Sequence, residues 1–378
     1  MNTQTAKGLL LSLLFIAAPL SADILYSVTD LGTLGGAATF GRALNDAGQV
    51  VGTAATYLNE DYRAFLYSNG QMYNLDQLIN PSLELRLSDA RAINNSGQIT
   101  GVAFPSGGGA NHGFLYNQGQ LVDLGPDTGG YGVNNAGQVT GYAFSPGAIH
   151  AFLYSNGQMI DVGRLLGNGY NSIGQAINDT GQITGYFWSS TGNEFTIFHA
   201  FLYSNDQAKD LGTLGGTESY GYAINNAGQV TGYATTSSGA RHAFLDRNGQ
   251  MQDLGTLGGP NSFAYGLNNA GQVVGSADTA PGVSDPFLYS NGQMYDLNDF
   301  IDPTLHLSLY VATAINDHGQ IVAISDQTRT YLLTPLANVP EPSTWALFGV
   351  ALLGLMIAVQ QGHPRSSQHS NRIDNHIL

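Results

Sequence analysis

Hydrophobic and polar positions along this chain follow a sentence repeated seven times. It runs as one apolar residue, Asn-Asn or Asn-Asp, any residue, Gly-Gln and then a β-branched pair. The first copy is Leu44-Asn-Asp-Ala-Gly-Gln-Val-Val51, and the others occupy 93–100, 133–140, 177–184, 224–231, 267–274 and 315–322. The glycines Gly48, Gly97, Gly137, Gly181, Gly228, Gly271 and Gly319 fall 40 to 49 residues apart, the period of a propeller blade. A second phrase sits between the copies, at 64–72, 113–121, 151–159, 200–208, 243–251 and 286–294. It joins a short apolar-aromatic run to a return run through a turn such as Ser-Asn-Gly, which is a hairpin pattern.

Each unit therefore predicts four strands: a (Phe-Leu-Tyr), b (Gln-Met-x-Asp-Leu), c (ending at Ile-Asn) and d (beginning at Gln-Val). A lone b strand at 24–31 opens the array, and a lone a strand at 330–335 closes it. The count is 28 strands, four for each of seven blades. The expected fold is all-β: a seven-bladed β-propeller of four-stranded blades, closed by pairing the N- and C-terminal strands. Strand parity puts the a–b and c–d turns on one face and the b–c and d–a connections on the other. The second face carries the variation, at 53–63, 102–112, 142–150, 186–199, 233–242 and 276–285. Binding residues concentrate on such loops, so this is the expected functional face. Both chain ends should leave through the turn face, so a C-terminal anchor would present the variable loops outward.

Fifty glycines, twenty tyrosines and 10% charged residues belong to a turn-rich β protein with very little helix. The formal charge is −15, from 12 basic and 27 acidic residues. Setting aside Lys7, Arg365, Arg372 and Asp374 leaves 9 basic and 26 acidic residues, Glu341 among them, a remainder at −17. An acidic body of this kind repels nucleic acid and suits an extracellular surface, cations or neutral glycans. With no cysteine there is neither a disulfide framework nor a thiolate metal site.

The two ends read as export signals. Residues 1–22 combine Lys7, an apolar run from Leu9 to Leu20 and Ser21-Ala22, the order of a secretory signal peptide cleaved near Ala22. The repeat body spans 23–336. Residues 337–344 form a Pro-rich linker, 345–359 an apolar helix and 360–378 a polar, weakly basic tail. Fifteen helical residues reach about 22 Å, short of a bilayer core of about 30 Å, which fits a transient anchor. Val339, Pro340, Glu341 and Pro342, followed by that helix and tail, resemble the PEP-CTERM sorting signal of Gram-negative bacteria. The resemblance implies an exosortase-like processing enzyme as a partner and a membrane contact through the helix. Likewise the repeats, with His-Ala-Phe at His150, His199 and His242, resemble the HAF repeat of probable extracellular bacterial proteins. That resemblance covers roughly 30–336 and implies location more than activity.

Most tempting motifs belong to the repeat itself. His112, His150, His199 and His242 share one repeat position and could ring the axis around a metal. Arg63 and Asp285 break that series, which favours a structural role at the start of a strand. Asp-Leu-Gly-Thr-Leu-Gly-Gly at Asp30, Asp210 and Asp253 lacks the Gly-Lys-Ser/Thr of a phosphate loop and reads as a b–c connection. Asn-Asp-x-Gly at Asn45, Asn178 and Asn316 lacks the alternating acids of a calcium loop and reads as turn chemistry. Longer b–c connections at 75–87 and 297–309 predict a strand-like flap. No cofactor, metal or catalytic set is expected. A candidate ligand loop within 186–199 holds Trp188, Glu194 and Phe195, since aromatic rings on a loop stack on sugars. The expected role is a secreted, surface-sorted, non-catalytic propeller that binds or builds the envelope or exopolysaccharide matrix. The alternative is a propeller hydrolase or lyase acting on glycans, for which Glu60, Asp61, Glu194 and Glu218 are the available loop acids.

Overall fold

Each copy of the repeated sentence folds as the inner hairpin of a four-stranded antiparallel sheet, and the hairpin that follows it in sequence supplies the two outer strands. The computed structural model describes residues 25–57, 61–145, 147–167, 170–189 and 197–336. Every described strand lies in one compact unit that ends at Pro335. The seven sheets comprise residues 35–74, 85–126, 128–161, 170–210, 215–253, 262–296 and 309–335, numbered here as blades 1 to 7. Blade 7 takes its outermost strand, Tyr26–Asp30, from the N-terminus, with Tyr26 opposite Pro335 and Asp30 opposite Tyr331. The seven-bladed, end-closed ring matches the strand count. The C-terminal membrane helix expected at 345–359 lies outside the described residues, and among these no helix is long and apolar enough to cross a membrane.

From axis to rim the order in each blade is c, d, a, b, so the b–c connection is the crossing between blades. The c strands contact one another around the axis. Strand a supplies the deepest core. Phe65, Phe114, Phe152, Phe201, Phe244 and Phe287 are essentially sealed from solvent, and each is the Phe after the small residue of the hairpin phrase. Full burial of one such ring is worth about 1.5–3 kcal/mol.

The Asn-x-x-Gly-Gln sentence is explained by the c–d turn. Its glycine takes φ of +73° to +80°, a region that side chains rarely adopt. In six of the seven turns its first asparagine accepts from two amides of its own turn, as Asn225 Oδ1 takes Ala227 N and Gln229 N; Asn268 accepts from Gln272 N. The asparagine amide then donates to the glutamine of the same turn and to the backbone carbonyl of the next blade's asparagine. These inter-blade bonds run Asn45 to Asn94, Asn94 to Asn134, Asn134 to Asn178, Asn178 to Asn225, Asn225 to Asn268, Asn268 to Asn316 and Asn316 back to Asn45, at 2.7–3.1 Å. The second residue of each pair makes a parallel circle, in which the backbone N–H of one turn donates to Oδ1 of the next at 2.8–3.0 Å. The glutamine reaches outward to the hairpin, as Gln49 to Ser68 and Gln182 to Ser204.

Two expectations need correction. The 75–87 and 297–309 connections form paired 3-10 turns, at Leu75–Leu78 with Pro81–Leu83 and at Leu297–Phe300 with Pro303–Leu305, and no flap. Asn80 and Asp302 cap the second turn of each pair ahead of a proline, which starts helical geometry rather than a strand. Leu75 and Leu297 are fully buried, so these segments belong to the core. The d–a loops are also shorter than expected, because both strands run on into them. Tyr186 to Ser189 lie in a strand, so Trp188 stands on a strand end opposite Phe198.

Replacing Asn225 with Ala should cost roughly 2–4 kcal/mol, because it strands the Asn268 carbonyl and two turn amides at a site only 4% exposed. Replacing its exposed neighbour Asn226 should cost clearly less. Urea unfolding of the two variants checks the order.

Candidate functional site

Every inner strand carries a β-bulge three residues before its buried asparagine. The register breaks between Gly41 and Ala43, Ala90 and Ala92, Gly130 and Gly132, Gly174 and Ala176, Gly221 and Ala223, Ala264 and Gly266, and Ala312 and Ala314. A bulge leaves one residue unpaired and re-aims its side chain. The seven freed residues, Arg42, Arg91, Tyr131, Gln175, Tyr222, Tyr265 and Thr313, all line one axial cavity of about 450 Å³. Glycine or alanine flanks each of them. The opposing d strand is glycine in six blades, since a Cβ there would lie 1.8–2.0 Å from an inner-strand carbonyl oxygen, as at Gly52 and Gly232. A separate cavity at the turn end is lined by the asparagine circles and by the apolar residues before them, from Leu44 to Ile315. The two cavities share no residue.

Blades 4 to 6 extend the cavity wall into a continuous aromatic array. Trp188 meets Phe198 at 5.7 Å, Phe198 stacks on Tyr220 at 5.2 Å, and Tyr220 stacks on Tyr233 at 4.7 Å. Tyr233 meets Phe263 at 5.0 Å and Tyr222 at 5.9 Å, and Tyr222 meets Tyr265 at 5.7 Å. All of these rings are half-buried. Burial first, then neighbouring phenols, pushes the Tyr220 and Tyr222 hydroxyls well above the ordinary phenol range. They stay neutral at physiological pH, able to donate and accept hydrogen bonds beside apolar ring faces. On the opposite wall Asp89 sits between two arginines, with Oδ1 2.7 Å from Arg42 Nε and Oδ2 3.0 Å from Arg91 Nε. The Arg91 guanidinium lies 4.0 Å over the Tyr131 ring, a cation–π contact.

The histidines are elsewhere. His112, His150, His199 and His242 begin strand a, third from the axis, and each binds the strand-b aspartate of its own blade at 2.7–2.9 Å: Asp123, Asp161, Asp210 and Asp253. Arg329 with Asp30 makes the same link at 2.8 Å, whereas in blade 1, where Asn74 holds the strand-b position, Arg63 reaches Asp76 of the following 3-10 turn at 3.0 Å. The side chains are held by these pairs at the rim side, and among the described residues no group of ligands could hold a metal. Asp30, Asp210 and Asp253 also accept from the glycine amide two residues on, as Asp210 does from Gly212, which accounts for Asp-Leu-Gly as a connection. Of the loop acids, Asp61 pairs with Arg63, and Glu218 lies 3.9 Å from Arg241. Glu60, Glu194, Phe195 and the motif Val339, Pro340, Glu341 and Pro342 lie outside the described residues.

Residues 338–359 match the PEP-CTERM protein-sorting motif, so the chain carries the C-terminal signal of an exported, surface-sorted protein. No curated protein matches the chain. Among solved structures it is similar to the β-propeller domain of the Trilobed protease from Pyrococcus furiosus, described as having an open velcro topology. That domain is 8% identical, with 84% of this chain and 100% of that one covered and a TM-score of 0.51. Another similar structure is virginiamycin B lyase from Staphylococcus aureus, 11% identical, with 82% and 100% covered and a TM-score of 0.44. At such identity the likeness is one of fold.

Blade 6 breaks the rim pattern in a testable way. Asp285 replaces the histidine, and the strand-b carboxyl Asp296 is pushed up to about 6, by burial first, against donation from Asn298 N, with Asp285 adding to the rise. An unfolded aspartate titrates near 4, so the folded chain holds the extra proton between about pH 4 and 6 and this site loses stability as pH rises through that window. Asp296→Asn keeps the acceptor for Asn298 N. Its urea midpoint should gain on the parent between pH 4 and 7, and an unchanged difference would contradict the assignment.

Proposed function

We propose that this chain is an exported, surface-sorted, non-catalytic propeller that binds glycan in the cell envelope or exopolysaccharide matrix. The observation that carries the reading is the array of half-buried rings from Trp188 to Tyr265, which reaches the axial cavity at Tyr222 and Tyr265. Sugars present an apolar ring face and a rim of hydroxyls, and stacked tyrosines supply both complements. Trp188 would mark the outer end of the site, with Glu194 and Phe195 in the connection that follows. The HAF-type repeat would be the scaffold that recurs, and the bulge residues the part that varies.

Domain limits follow the same reading: a signal peptide at 1–22, the propeller at 23–336, a linker at 337–344, a sorting helix at 345–359 and a tail at 360–378. The polypeptide leaves the ring at Pro335, beside Gly319 of the turn face and away from the bulge cavity. Processing by an exosortase-like enzyme would then release or re-anchor the propeller at the surface.

Two measurements test this. On a glycan array the full chain should bind, and Tyr222→Ala or Trp188→Ala should weaken binding about tenfold without lowering the unfolding midpoint by a matching amount. Binding unaffected by both substitutions would remove the site. In cells, replacing Pro340, Glu341 and Pro342 with alanine should hold the protein in the membrane fraction, and unchanged surface release would argue against sorting through this motif.

A further inference from the structure

We infer that the glycan taken by this cavity carries a carboxylate, as a uronic acid does, and that Arg42 and Arg91 are the residues that recognise it; this rests on the glycan-binding reading above. The cavity lining includes both arginines and no carboxylate, in a chain with 27 acidic residues against 12 basic ones. A neutral-sugar site in so acidic a body would need no cation, and background charge would repel an acidic sugar unless cations were placed locally.

The placement is specific. Both arginines are bulge residues on adjacent blades, freed from strand pairing by the same register break that frees the tyrosines. Asp89, between them, accepts from Arg42 Nε through Oδ1, while Arg91 Nε lies 3.0 Å from Oδ2 as an ion pair without a hydrogen bond. A guanidinium whose Nε is occupied still offers its Nη edge, and among the described residues Arg42 has no other acceptor. Arg91 is further fixed by the Tyr131 ring beneath it. One carboxylate shared by two guanidinium groups leaves a net positive charge beside an aromatic wall. Planar forks of this kind bind carboxylates in two-point fashion. A pyranose ring lying against Tyr222 or Tyr265 would direct a carboxylate on its rim across the cavity toward them.

The probe is a defined oligogalacturonate and its carboxyl-reduced counterpart, oligogalactose of the same length and linkage, titrated calorimetrically into the full chain. The uronate should bind at least tenfold tighter. Arg42→Gln should erase that preference by weakening the uronate at least tenfold more than the reduced oligomer, and Arg42→Lys, which keeps the charge but loses the fork, should restore it only in part. Because Arg91 packs on Tyr131, Arg42 carries the test, with circular dichroism confirming the fold of each variant. Equal binding of the two oligomers, or equal weakening of both by Arg42→Gln, overturns the inference and leaves the glycan-binding reading standing. No binding of either oligomer or of any array glycan overturns both.

Discussion

The side-chain amide of one asparagine per blade, donating to the backbone carbonyl of the next, is the bond on which the ring depends. The backbone ladder of each sheet runs within its own blade, and contacts such as Ala151 N to Ser172 Oγ link particular neighbours, but the link that recurs between all seven is the asparagine's. The four hydrogen-bonding positions of Asn225 are all committed: two acceptances to its own turn, one donation to its own glutamine and one to the next blade. Buried as it is, losing any one partner exposes an unsatisfied polar group, which is costlier than the modest net gain of forming a hydrogen bond. Seven such links close on themselves, from Asn316 back to Asn45, so the ring is sealed at the axis as well as at the rim, where Tyr26–Asp30 pairs with Thr330–Pro335.

Anchoring the c strand so firmly at its turn end has a consequence at its other end. Inner strands approach each other closely near the axis, which favours glycine or alanine beside the bulge; at Gly132 even a Cβ would lie 3.0 Å from Ala176 Cα. The bulge lets a single large side chain per blade escape this crowding by turning toward the channel. Turn and bulge thus divide labour along one strand. The turn is uniform because it bonds to its neighbours, and the bulge residue is free to vary because it bonds to none of the ladder. Arg, Arg, Tyr, Gln, Tyr, Tyr and Thr in successive blades are the outcome.

Strand number, blade count and end closure were legible because they depend on local signals that recur: positive-φ glycines in turns and apolar alternation in strands. The structural role of the histidines was legible for the same reason, since Arg63 and Asp285 at the equivalent position already ruled out a uniform ring. The axial cavity was not legible. Variable loops drew attention, whereas the cavity is lined by strand residues, and Trp188 proved to belong to a strand. A bulge leaves almost no trace in one copy of a repeat, because it shifts the inward-facing parity by one residue without a marker such as proline. Aligning the seven copies would have exposed it: the position three before the asparagine is the one place where small neighbours on both sides enclose a residue of any chemistry.

The same contrast bears on what kind of ligand the ring can serve. The turn-end cavity is lined by groups already bound to one another. Asp179 illustrates this: although burial raises its proton affinity, donation from Asn135 and Asn226 holds its carboxyl below the ordinary range. Its charge is used up within the circle, so it has little left to offer a guest. At the bulge end the balance is reversed, with phenols and guanidinium edges that the strand ladder does not engage. Hydrogen-bonding capacity left over after folding is what a binding site requires, and along this axis it is concentrated at the end where the repeated sentence stops dictating the residue.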